Sequence, residues 1–337
     1  MNTTRFVIAP CMGVGKIVAN VTRRAAYLVH QKHPETTALL SLPALLAGDP
    51  EQRELVRNNP VILFDGCTER CGMHIFCQLG VWPIAKIEVA QIMAETKIGP
   101  GKTRQQLEDI GRKLSGALAA RIEKVMQNDA LLRDFKPAQE LKLASPKPEC
   151  AHACNCLPAR RRASARPRKY VTIFPCQGIR RTGGRIAQRA AYILVEDRFP
   201  GKTLLLCVPA LAAAVQEDVD MLEQFPTVAI NGCGMRCASV NAAHYGVPPA
   251  ASVDLDSVAP TFGGERQCML PDLTEAEAQA AVKLADACCQ AVQDLLAGKG
   301  KWRPGKADLL GVVNQPAKIN EVAGFRKCDQ GYMTRHG

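Results

Sequence analysis

At 337 residues, 47% hydrophobic and 22% charged, the chain is long and apolar enough to bury two cores of ordinary size. That composition excludes collagen-like, mucin-like and wholly disordered chains. The net charge of +11 is local rather than global: the stretch from Cys150 to Val195 holds ten Lys/Arg and no acid, and the remainder has 33 basic against 32 acidic residues. No apolar run reaches membrane-spanning length, and the opening segment Phe6–Ala9 is too short for a signal-peptide core, being followed soon by Cys11, Gly15 and Lys16. The expectation is a cytoplasmic protein without a membrane span.

In chain order, a strand at Arg5 to Ala9 leads into Pro10-Cys11 and a glycine turn, then a helix from Ile17 to His30 with apolar residues at three- and four-residue spacing. Strands follow at Ala38 to Ser41, Val61 to Phe64 and Ala85 to Val89, and a long helix at Arg104 to Met126. The same series then returns. Strands at Tyr170 to Phe174, Thr203 to Cys207, Val228 to Ile230 and Ala251 to Leu255 alternate with helices at Ile186 to Asp197 and Glu275 to Leu296. Arg24-Ala25-Ala26-Tyr27 recurs as Arg189-Ala190-Ala191-Tyr192, and Leu42-Pro43-Ala44-Leu45 as Val208-Pro209-Ala210-Leu211, at offsets of 165 and then 166 residues. A period this long is a duplicated domain rather than a solenoid. The reading is two tandem three-layer α/β domains of Rossmann or flavodoxin type, each with a mainly parallel sheet: a first copy at 1–140, a linker at 141–168, a second copy at 169–300 and a tail at 301–337.

Fifteen cysteines, an odd number, in a reducing compartment read as metal-binding or redox-active thiols rather than as a disulfide framework. In the second copy Cys176 follows the first strand, Cys207 ends the second, Cys233 follows the third, and Cys237 lies four residues on. The carboxyl ends of parallel strands border one crevice, so these thiols are expected to meet at one edge. The four-residue spacing would set Cys233 and Cys237 on one helical face. Zinc takes about four soft ligands in a tetrahedron, and four thiolates supply them. Cys11, Cys67 and Cys71 repeat three of the positions, with Ser41 at the second.

These strings resemble the DGC domain family, named for its Asp-Gly-Cys motif and read as zinc-binding. Asp65-Gly66-Cys67 carries the motif literally, and Asn231-Gly232-Cys233 carries it with Asn for Asp. The resemblance implies a metal set of Cys176, Cys207, Cys233 and Cys237 in the second copy, and of Cys11, Cys67 and Cys71 in a degenerate first copy. Because Asn stands for Asp in one copy, the acid is not a proton-transfer group common to both, and the pair is expected to supply turn geometry. His74 and Cys77 are candidates to complete the first site.

Two other chemistries use the same sulfurs: thiol–disulfide exchange with Cys67 or Cys233 as nucleophile and Cys71 or Cys237 as its resolving partner, and an iron–sulfur cluster. The partners expected are a metal ion, and for exchange a thiol-containing protein or small molecule. A second constellation, Cys150, His152, Cys154 and Cys156, lies in the linker, while Cys268, Cys328 and His336 are unassigned. Cys288-Cys289 reads as helix packing. Neither a P-loop nor a dinucleotide fingerprint closes in Cys11-Met12-Gly13-Val14-Gly15-Lys16-Ile17, so Gly13 and Gly15, like Gly183 and Gly184, are expected to turn backbone N–H groups toward a thiolate or small anion. Nucleic-acid binding is not expected, since the basic run lacks interleaved aromatics.

Overall fold

A computed structural model describes residues 5–133, 135–141, 168–263, 271–300 and 302–307, with short strands at 326–327 and 333–334. Contacts divide the chain into two compact units, built mainly on residues 5–141 and 168–300. In the first, β1 (Phe6–Ala9), α1 (Ile17–Lys32), β2 (Thr37–Leu39), α2 (Leu42–Leu46), α3 (Pro50–Asn58), β3 (Val61–Asp65), α4 (Cys71–Leu79), β4 (Ala85–Glu88), α5 (Val89–Thr96), α6 (Asp109–Met126) and α7 (Ala130–Arg133) follow in order. The second repeats the series as β5 (Val171–Pro175), α8 (Thr182–Ile193), β6 (Thr203–Leu205), α9 (Val208–Ala212), α10 (Gln216–Gln224), β7 (Thr227–Asn231), α11 (Cys237–His244), β8 (Ala251–Asp254), α12 (Leu255–Val258) and α13 (Glu275–Leu296). A π-helical turn at Leu194–Arg198 extends α8.

Both sheets have one plan. The strands run parallel in the order β2-β1-β3-β4 and β6-β5-β7-β8. Every residue of β1, β3, β5 and β7 is buried, which a strand achieves only when both faces of its sheet are covered. The chain is therefore two tandem α/β domains. In each, the direction of winding reverses between the first and third strands, and the crevice opened at their carboxyl ends is where open α/β sheets bind ligands. Two short antiparallel strands, β9 (Arg326–Lys327) and β10 (Met333–Thr334), extend the first sheet beyond β4, so part of the segment expected as a tail joins that unit.

Several boundaries differ from the sequence expectation for physical reasons. Helix α8 begins at Thr182 rather than Ile186, so Gly183 and Gly184 lie inside its first turn instead of in a free loop. Their lack of a side chain serves close approach: a Cβ on Gly183 would lie 1.7 Å from the Gly232 carbonyl oxygen, and one on Gly184 2.3 Å from that of Gly178. Strand β6 ends at Leu205, and Cys207 is the residue that precedes α9, still at the carboxyl edge. Helix α6 starts at Asp109, five residues later than expected. Helix α13 spans the expected residues, opened by a capping box in which Thr274 and Glu277 satisfy each other's backbone N–H groups.

Candidate functional site

The second unit carries the more complete thiol set. Cys176 leaves β5 with its N–H bonded to the Ile230 carbonyl of β7 at 2.7 Å, which ties the first cysteine to the strand that presents the third. Cys233 follows β7, and Cys237 opens α11. Cys176, Cys207, Cys233 and Cys237 are all reduced and buried. The Cys237 thiol donates a hydrogen bond to the Cys176 sulfur, and this contact, against the opposing effect of burial, brings the Cys176 pKa down from 9.0 to about 7. The N–H groups of Gly178 and Gly232 and the Arg181 guanidinium add to the thiolate's stabilisation. Glycine N–H groups thus do turn onto a sulfur anion, but they are those of Gly178 and Gly232 rather than of the expected Gly183 and Gly184.

Cys233 behaves differently. Burial and the neighbouring Cys176 push its thiol up, while the Met235 N–H and Arg181 work the other way. The two sulfurs share Arg181 and compete for charge. Cys207 is held by its backbone, whose N–H donates to Asp218 at 2.8 Å. Its sulfur faces the Gln177 side-chain carbonyl at 4.0 Å. That buried amide also accepts from the Val208 N–H at 3.3 Å and donates to the Leu206 carbonyl at 3.2 Å.

In the first unit the corresponding cysteines are half-buried. Burial raises the Cys11 thiol; the Gly13 N–H and Arg23 lower it, and Asp65 and Cys67 raise it. Cys11 and the Gly66 turn are in close contact, since a Cβ on Gly66 would lie 3.0 Å from the Cys11 sulfur. Ser41 keeps the backbone arrangement of Cys207, donating its N–H to Gln52 at 2.7 Å. Its own hydroxyl is buried without a hydrogen-bond partner. Apolar Met12 stands where the second unit has Gln177, so the amide that faces Cys207 has no counterpart.

The profile of the DGC domain matches the chain twice, at residues 7–114 and 172–284. The chain belongs to the DGC domain family. Comparison with curated proteins and with solved structures gives no significant match. In both DGC repeats the motif straddles the carboxyl end of the third strand, with its cysteine facing the first-strand cysteine across the point where the winding reverses.

The Asp or Asn of the motif does more than shape a turn. Asp65 is buried and accepts from the N–H groups of Met73 and Gly72 at the start of α4. Its other oxygen faces Lys86 at 3.8 Å, and Lys86 in turn meets Glu88 at 2.7 Å. Burial raises the Asp65 carboxyl to about 6, against the pull of Lys86. In the second repeat Asn231 accepts from the Ser239 N–H at 3.3 Å, and its two N–H groups are shared among Ser239, Ser252 and Asp254 at 2.8–2.9 Å.

The expectation that Cys233 and Cys237 share a helical face is not met, because α11 starts only at Cys237. Arg236 before it adopts a left-handed conformation at φ 49°, as Arg70 does before Cys71. Each arginine reaches an acid on the fourth strand, Glu88 at 3.2 Å and Asp254 at 3.1 Å.

The donor chemistry of the second repeat, four thiols of which one ionises near neutrality, fits a soft metal. As they stand, the described residues include no group of three or more His, Cys, Asp or Glu side chains gathered to hold a metal ion. His74 and Cys77 lie on α4; burial, Arg70 and Lys86 hold the His74 imidazole below its ordinary pKa. Cys288 is buried in α13, its thiol pushed up to about 12 by burial, a packing residue as expected. Cys150, His152, Cys154, Cys156, Cys268, Cys328 and His336 lie outside the described residues.

Sequence reading missed Gln177, Lys86, Ser252, Arg236 and Asp254. For Lys86 and Ser252 a signal was there in the comparison of the two repeats, where Asp65 and Lys86 change together to Asn231 and Ser252.

Proposed function

We propose that the second DGC repeat binds a soft metal ion, zinc, through its strand-end thiolates, with Cys176 and Cys237 as the first pair and Cys233 and Cys207 completing the set. The observation that carries this reading is the Cys237–Cys176 hydrogen bond, with a thiol near pKa 7 although it is buried. A buried thiolate is costly unless something positive meets it, and a metal ion is small enough to be enclosed where a protein disulfide is not. Binding displaces the remaining thiol protons, so affinity rises with pH until those thiols are ionised. The first repeat, with Ser41 at the second position, offers three thiols and is the weaker site.

A second reading has its own observation. Cys176 and Cys237 are hydrogen-bond partners, so attack of the Cys176 thiolate on a small external disulfide would release one thiolate and form a mixed disulfide beside Cys237. Cys237 would then displace the second thiol and close a Cys176–Cys237 bond. Elemental analysis of full-length chain purified without oxygen, with a visible spectrum of the same sample, separates the readings. About one zinc per chain, lost in Cys176→Ser and in Cys207→Ser, supports the metal site. Metal-free protein that gains a reversible two-proton mass loss on mild oxidation supports exchange, and absorbance near 400 nm would reveal an iron–sulfur cluster.

A further inference from the structure

We infer that the first residue of the Asp-Gly-Cys motif is a positioning residue: a buried polar pin that fixes the start of the helix carrying the last cysteine, built in two interchangeable chemistries. This inference is independent of which ligand the thiols take.

The two repeats use different atoms for one task. In the first, the Asp65 carboxylate accepts from Met73 and Gly72 in the first turn of α4, and Lys86 on β4 balances its charge. In the second, the Asn231 amide accepts from Ser239 in the first turn of α11, and its two N–H groups are shared among Ser239, Ser252 on β8 and Asp254. Strand register pairs Leu63 with Lys86 and Ala229 with Ser252, so Lys86 and Ser252 are equivalent positions. Where the pin is an anion its strand partner is a cation; where the pin is a neutral amide the partner is a hydroxyl.

The packing around the pin changes with it. A Cβ on Gly72 would lie 2.7 Å from Leu63 and 3.0 Å from the Asp65 carboxylate. The second repeat has Ala238 at that helix position and the smaller Ala229 on the strand. The arginine before each helix is common to both, bonded to the acid of the fourth strand. Four positions thus differ together while the outcome, a helix start pinned beside the strand end, is the same. That outcome sets where Cys71 and Cys237 stand. An acid–base role for the motif Asp would not survive exchange for Asn, whereas a pin does.

Proximity of the sulfurs reads the pin directly. The reduced full chain is treated with diamide, which takes up two electrons and two protons as two thiols become a disulfide, and the Cys176–Cys237 peptide is followed by mass spectrometry. Asn231→Ala should slow formation of that bond at least about tenfold, while the transplanted pair Asn231→Asp with Ser252→Lys should stay within about threefold of the unaltered chain. Leu222→Ala, a core truncation on α10, controls for lost stability and should leave the rate unchanged. A second measurement serves in case Asn231→Ala does not fold: hydrogen exchange of the α4 peptide, expected to lose about tenfold protection in Asp65→Asn or Lys86→Ser alone and to regain it in the double variant. An unchanged disulfide rate in Asn231→Ala would overturn the inference, as would a slow transplant or a double variant with the summed losses of its singles.

Discussion

Cys176 and Asp65 are both fully buried ionisable groups, yet burial wins at one and loses at the other. At Cys176 a thiol donor, two backbone N–H groups and a guanidinium outweigh desolvation, so the folded chain favours the thiolate. A depressed pKa contributes stability that is complete above the ordinary value of 9.0 and is lost as pH falls through about 7. Cys237→Ala removes the largest of those contributions, and the ultraviolet thiolate titration of Cys176 should move up toward the ordinary thiol range. At Asp65 the sign reverses, because burial exceeds the attraction of Lys86 and the folded pKa is raised. Its contribution is therefore greatest below the ordinary value of 3.8 and is lost as pH rises through about 6. Denaturant midpoints measured from about pH 4 to 7 should show this fall in the unaltered chain and a flatter profile in Asp65→Asn.

At the scale of elements, the glycines around the site divide into two kinds. Gly183→Ala sets a methyl group against the Gly232 carbonyl and should cost about 3 kcal/mol or more of stability, because both partners are backbone and neither can move aside. Gly15→Ala meets nothing within 4 Å and should be close to neutral, a contrast that thermal unfolding of the two variants checks. Arg236 combines a left-handed backbone with an ion pair. Both Arg236→Ala and Arg236→Gly lose the pair, but glycine relieves the backbone, so the glycine variant should be the more stable by about 1 kcal/mol. The strands and long helices were legible because their apolar periodicity is strong and occurs twice. The start of α11 was not, because a left-handed Arg carries no sequence signature of the kind Gly or Asn would give, and the Cys-x3-Cys spacing by itself imitates a helical face. Gly183 and Gly184 were read as a loop for the same reason: a glycine needed for close approach and one needed for a turn look alike in sequence.

Across the molecule, duplication has left two sets of strand-end cysteines on one topology with different protection of their sulfurs. The second repeat buries all four thiols, and the first has three of the family positions half-buried with Ser41 at the other. The order of the cysteines along the strands could be read from sequence, since carboxyl ends of parallel strands share one edge. The hydrogen bond between Cys176 and Cys237, and the amide that faces Cys207, could not, because they depend on side-chain direction rather than on position along the chain. Among the described residues no helix is long and apolar enough to cross a membrane. The most direct test of the proposed centre is zinc-edge X-ray absorption on the zinc-loaded full chain. Four sulfur neighbours at about 2.3 Å, falling to three in Cys207→Ser, are the expected result. A shell of nitrogen and oxygen at about 2.0 Å, the same in both proteins, would contradict it.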